Sequence, residues 1–218
     1  MANFIIFSRI LLLYRRIKMR KRFIFLWILF LLFAFSNDSY AVYYTLSGEQ
    51  IRQAIEYGEK NKDADSISFL DEWIRVSDSD NVYEWAGLHT KFSTLASEAK
   101  KASRVSKNLT EEQISQLLSE KEDILSFIVI LYGNSYDFAQ DYHAVLLYKN
   151  KPIQPVLEQN DSRGTVSNLE FRRSIAYRVE CRYDFPNYCV EPDAEVTLVI
   201  LNPLNNEKRF LFRLGEMR

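Results

Sequence analysis

The sequence predicts an α+β protein in which N-terminal helices pack on a C-terminal antiparallel β-sheet or small sandwich. Three observations predict it. Between residues 42 and 122, apolar residues recur at three- and four-residue spacing behind helix-capping signals. From Asp123 onward the chain turns to short β-branched and aromatic runs separated by Gly, Asn and Pro. Helices first and strands second is the order of an α+β chain. The helical region 42–122 and the β-rich region 123–218 are expected to form one compact unit, long enough for a proper core.

The helices are justified in turn. Leu46-Ser-Gly-Glu-Gln-Ile51 opens the first: Ser47 and Gln50 form a capping box, Leu46 staples to Ile51, and the helix continues to about Lys60. A second fits Ser66 to Arg75, with Ile67, Leu70 and Ile74 on one side, before a loop at Ser77–Asn81. A third fits about Thr90 to Val105, its inward stripe being Phe92, Leu95, Ala96 and Ala99. A fourth opens at Leu109-Thr-Glu-Glu-Gln-Ile114 with the same box, Thr110 and Gln113, and runs to about Glu122. The duplicated start is two similar helix openings, since the flanks do not repeat.

The strands follow. Leu125–Tyr132 is rich in β-branched and aromatic residues, and His143–Tyr148 is closed by Lys149-Asn-Lys-Pro152. A strand covers about Ile175 to Tyr183. The last pair, Glu195–Leu201 and Arg209–Leu214, is joined through Asn202–Asn206, with Phe210, Phe212 and Leu214 on one face and Arg209 and Arg213 on the other. Gln159–Gly164 reads as a polar loop.

The N-terminus gives an address. Arg20, Lys21 and Arg22 precede an unbroken apolar run of 13 residues, Phe23 to Phe35, and a short polar stretch ends at Ala41. Small Ser39 and Ala41 sit where a signal peptidase reads, so residues 1–41 are expected to be a secretory signal, its start at Met19. The rival is an uncleaved anchor, although as a helix that run spans only ~20 Å against ~30 Å of hydrocarbon. The expected location is periplasmic or secreted, with membrane contact only through an uncleaved signal. Of 28 Lys+Arg and 29 Asp+Glu, residues 1–41 hold seven bases and one acid, which leaves 21 against 28 beyond them. Nucleic acid is a poor partner for such a surface.

Export decides how the only two cysteines, Cys181 and Cys189, are read. In an oxidising compartment they are expected to form a disulfide, worth ~2–3 kcal/mol across so short a loop. Metal-ligand spacing is missing around them, and no cofactor or metal is expected. Walker, GxGxxG, HExxH and GxSxG motifs are likewise missing, and only two histidines, His89 and His143, occur. His89 reads as a capping or packing residue.

One cluster could carry chemistry. Tyr136-Asp-Phe-Ala-Gln-Asp-Tyr-His143 places Asp137, Asp141 and His143 in or beside one loop. A carboxylate could orient the imidazole as a general base, or the three could hold a divalent cation. The plainer reading is that both aspartates cap a turn and His143 begins a strand. Tyr43, Tyr44, Tyr83 and Trp85 offer either a glycan-stacking platform or core.

The stretch SFIVILYGNSYDFAQDYHAVLLYKNKPIQP, with IRQAIEYGEKNK upstream and RFLFRLGEMR at the end, resembles a scattered group of short exported bacterial proteins without assigned function. The resemblance implies an exported product and carries no catalytic motif. Two functions follow as expectations. The first is a non-catalytic binding or structural accessory protein of the cell envelope, whose partner is another envelope protein or ligand. The second is a small envelope hydrolase or metal-dependent enzyme using Asp137, Asp141 and His143.

Overall fold

Both expected capping boxes lie where the chain bends into helix. The computed structural model describes residues 42, 44–77, 84–120, 123–167 and 176–218; the expected leader lies outside the described residues. Helix α1 (Gly48–Lys60) opens on the Ser47/Gln50 box, with both reciprocal hydrogen bonds formed. Helix α3 (Lys91–Arg104) opens on Thr90, whose hydroxyl accepts from the Ser93 amide while Ser93 accepts from the Thr90 amide. Helix α4 (Glu111–Ser119) opens on the Thr110/Gln113 box and ends earlier than expected. All four residues of the expected α3 stripe, Phe92, Leu95, Ala96 and Ala99, are buried. Helices α1 and α3 pack closely because Gly58 has no side chain: a Cβ there would collide with the Ala96 carbonyl and lie 2.9 Å from the Ala99 methyl.

The expected second helix is corrected. Helix α2 covers only Ser66–Leu70, capped by Asp65, and a 3₁₀ turn Asp71–Trp73 leads into strand β1 (Ile74–Val76). The turn swings Trp73 into the core beside Phe69, whereas Ile67 is left on the surface. Strand β2 (Trp85–His89) then runs antiparallel to β1, in a stretch that the sequence assigned to no strand.

The strands form two antiparallel sheets, so the α+β class with a small sandwich is what the chain builds. The first joins β1, β2, β3 (Ile124–Gly133), β8 (Ala176–Pro186) and β6 (Leu157–Asn160) in that order, with β7 (Thr165–Ser167) also on β8. The second has the order β10 (Glu207–Arg213), β9 (Glu195–Leu201), β4 (His143–Tyr148) and β5 (Lys151–Ile153). Thus part of the expected polar loop at Gln159 is strand β6, held by its pairing with β8. Lys149 and Asn150 both take positive φ, which turns the β4–β5 hairpin tightly. Asn202 Oδ1 accepts from the Leu204 and Asn206 amides and shapes the β9–β10 turn.

Period-2 alternation fills the space between the sheets. Leu125, Phe127, Val129 and Leu131 on β3 stand opposite Phe185, Tyr183, Cys181 and Val179 on β8. Val196, Leu198 and Ile200 of β9 and Phe210 and Phe212 of β10 belong to the same buried cluster. The Phe127 ring lies 5.0 Å from that of Phe212 and 5.8 Å from that of Phe185, which stitches sheet to sheet. Each such buried ring is worth ~2–3 kcal/mol of transfer free energy.

The expected Cys181–Cys189 bridge is not made; both thiols are free, Cys181 buried and Cys189 exposed. Strand β8 stays extended from Cys181 through Pro186, a distance of about 16 Å at ~3.3 Å per residue. The compact 3₁₀ turn Asn187–Cys189 is too short to return the second sulfur, and a bridge needs Cα atoms within ~7 Å.

Candidate functional site

The segment between β3 and β4 carries the chain from one sheet to the other, and its own residues anchor it. Gly133 leaves room for the Phe138 ring; a Cβ there would collide with it. The Phe138 and Tyr142 rings meet edge to face at 5.8 Å. On the β6–β7 side, the Gly164 amide donates to the Tyr136 carbonyl at 2.5 Å and Gln140 Nε2 donates to the Ser162 carbonyl at 2.8 Å. Asn160 Nδ2 donates to the Tyr142 carbonyl at 2.8 Å. The crossover is therefore clamped along its length to the edge of the first sheet.

His143 opens β4 at the end of this clamp. Its Nδ1 lies 2.9 Å from Glu158 Oε2, and a carboxylate there requires Nδ1 to donate. Glu158 Oε1 accepts the Ala144 amide at 2.8 Å. One carboxylate of the first sheet thus holds the start of a strand in the second. Asp137 and Asp141 do not join this pair: Asp141 is exposed, Asp137 is half-buried, and the nearest carboxylate to the imidazole comes from β6. The expected Asp137/Asp141/His143 constellation is corrected accordingly.

Inward from Glu158 runs a polar seam. Asn160 Oδ1 accepts from the Tyr183 hydroxyl at 2.7 Å. Burial, reinforced by the neighbouring Cys181, holds the Tyr183 phenol far above its usual range. Burial pushes the Cys181 thiol up to about 11, against a smaller lowering by its hydrogen bond with Tyr183. Tyr142 is raised by burial and then by the charge of Glu84. Glu84 is wholly buried; it accepts the Tyr132 amide at 3.1 Å and pairs with Lys208 of β10. Lys208 faces inward because it stands opposite Ile200, whose side chain fills the core.

Chemically, this arrangement positions groups. At neutral pH the Cys181 thiol and Tyr183 phenol are protonated and enclosed, so neither is a nucleophile or base. The His143 side chain is 69% exposed, in water beside a carboxylate already shared with an amide. Among the described residues no group of three or more His, Cys, Asp or Glu converges as cation ligands. Glu84, Glu158, Asn160, Tyr183 and Lys208 were not legible as a set, since they come from four separate stretches, with only Glu158 and Asn160 sharing strand β6. Of the expected aromatic platform, Tyr43 and Tyr83 lie outside the described residues, Tyr44 donates its hydroxyl to the Val190 carbonyl, and Trp85 is half-buried in β2.

No family model matches the chain, and no curated protein matches it. It is similar to a solved structure of a protein of unknown function from Burkholderia pseudomallei, with 9% identity over 79% of this chain and 96% of that one. The TM-score is 0.35, and a likeness at that level carries no argument about activity.

Proposed function

We propose that the chain is an exported, non-catalytic binding or structural accessory protein of the cell envelope. The observation that carries this reading is Glu158. It is the carboxylate beside His143, and it spends its second oxygen on the Ala144 amide, so the pair acts as a joint between sheets. The crossover that resembles a catalytic loop is committed to the fold by the bonds of Asn160, Gln140 and Gly164.

A surface fit for a partner lies elsewhere. The outward face of the second sheet holds an open groove of about 490 Å³, with Tyr148, Lys149, Glu191, Asp193, Thr197 and Arg209 on its walls. That volume is within the range of ligand clefts. Tyr148 and Lys149 both bond Glu191, at 2.7 and 3.1 Å, and pre-orient a mixed-charge rim. The strand edges offer less: β5 has three residues with Pro152 among them, which blunts pairing with another strand.

Capture from envelope extract tests the reading. The chain should retain a partner that Lys149→Glu with Arg209→Glu releases, while His143→Ala retains it. Loss of capture on His143→Ala with the groove variant unaffected would overturn it.

A further inference from the structure

We propose that the cleft between α1, the Asp71–Trp73 turn and α3 is a recognition socket for an arginyl peptide segment, filled in this structure by the chain's own Arg218. Two ends of one residue are read there. The Arg218 guanidinium forms a fork on Glu72, with Nε to Oε1 at 2.9 Å and an Nη to Oε2 at 2.5 Å. It also lies over the Tyr57 and Phe92 rings, 5.1 and 5.2 Å from their centroids. The Arg218 main-chain oxygen accepts from Trp73 Nε1 and from Thr90 Oγ1, both at 2.7 Å.

Both donors are held by their neighbours. With Arg218 seated, Trp73 and Thr90 are 1% and 4% exposed and both give their hydrogen bonds to its main-chain oxygen. Thr90 is pinned as the α3 cap, and Trp73 stacks on Phe92 at 6.1 Å with Tyr57 edge-on to it at 5.8 Å. A planar fork, two aromatic faces and a carboxylate are what a guanidinium fits and an ammonium does not. The two side-chain donors, Trp73 Nε1 and Thr90 Oγ1, add the demand that the arginine's main-chain oxygen be free to accept.

What holds Arg218 in place is a short path. After β10 a 3₁₀ turn, Leu214–Glu216, and buried Met217 deliver it. Displacing these few residues, without moving a sheet, would open the socket to the same residue type on another protein. The cis segment then acts as an internal competitor that sets the affinity for a partner. The groove on the second sheet is a separate surface, so failure here leaves the reading of that groove standing.

The test uses the full chain and the peptide acetyl-Gly-Glu-Met-Arg, with acetyl-Gly-Glu-Met-Lys as control, followed by the indole N–H resonance of Trp73. Arg218→Ala weakens the internal competitor. The peptide should therefore shift that resonance saturably, with half-saturation at least roughly tenfold lower than in the unsubstituted chain. The lysine peptide should bind at least roughly tenfold more weakly. No saturable shift in a folded Arg218→Ala chain, or an equal response to both peptides, overturns the proposal. Should Arg218→Ala not fold, Arg218→Lys keeps the cation and the main-chain acceptor, and the same two outcomes decide.

Discussion

Replacing Lys208 by Met should reveal how the two sheets are locked. Glu84 is wholly buried, and its counter-charge is the Lys208 ammonium, whose side chain is 27% exposed. Methionine matches the lysine stem in bulk, so the perturbation is the loss of charge and not of packing. Glu84 keeps one hydrogen bond, from the Tyr132 amide. Removing one partner of a buried pair costs ~3–5 kcal/mol. Because water reaches part of Lys208, we place Lys208→Met near the lower figure, ~3 kcal/mol. With a urea slope of ~2 kcal/mol/M, the unfolding midpoint falls by ~1.5 M. Glu84→Gln keeps an acceptor for the Tyr132 amide and leaves Lys208 free to reach solvent, so it should cost only ~1–2 kcal/mol. The double variant should be more stable than the sum of the two losses predicts, by at least ~1 kcal/mol. The assay is equilibrium urea unfolding by two spectroscopic probes. A Lys208→Met loss below ~1 kcal/mol, with strict additivity in the double variant, would refute the lock.

Other expectations follow from particular contacts. Gly58→Ala gains helix propensity of ~1 kcal/mol, yet it should destabilise by a net ~1–3 kcal/mol, because the new methyl meets the Ala96 carbonyl; thermal unfolding measures it. Iodoacetamide under native conditions should modify Cys189 and spare Cys181 until the protein is unfolded, as mass spectrometry of the peptides will show. The Cys181 thiol titrates from an ordinary 9.0 up to about 11 in the fold. The folded state therefore holds that proton more tightly, its contribution is complete below pH 9, and ~2–3 kcal/mol is lost as pH rises towards about 11. Urea midpoints across that range should fall, and Cys181→Ala should flatten part of the fall. Asn160→Ala should cost ~1–3 kcal/mol in the same assay by stranding the Tyr183 hydroxyl and the Tyr142 carbonyl.

Much of the architecture was legible because local rules and tertiary demands agree. The Ser47/Gln50 and Thr110/Gln113 boxes need only neighbours in sequence, and the α3 stripe follows from spacing alone. His143–Tyr148 and Glu195–Leu201 alternate or run apolar as core strands do, and both form with those bounds. Where tertiary pairing decides, local reading falls short. Trp85-Ala-Gly-Leu-His89 has little β character of its own and becomes a strand by lying between β1 and β3. Leu157-Glu-Gln-Asn160 is polar, yet β8 recruits it. Ser66–Arg75 has helical spacing, but burial of Trp73 requires the chain to turn after Leu70.

Of Asp137, Asp141 and His143, the structure places only His143 beside a carboxylate. His143 does meet a carboxylate, but through Glu158, 15 residues downstream on the other sheet, and not through the sequence neighbours Asp137 and Asp141. The cysteine pairing failed for a related reason: short spacing does not mean short distance when the intervening residues form one extended strand. Charge gave no hint of Glu84 and Lys208, because their meeting depends on the register of β9 with β10.

The polar groups around His143 join the two sheets through the Glu158 carboxylate. Native-state hydrogen exchange at the Ala144 amide tests it most directly. That amide should be as protected as its neighbours in β4, and Glu158→Ala should lower its protection by roughly 10- to 100-fold, the range expected for losing a bond to a charged acceptor. An Ala144 amide that exchanges at a loop's rate in the unsubstituted chain, or that ignores the loss of Glu158, would mean that Glu158 does not join the sheets.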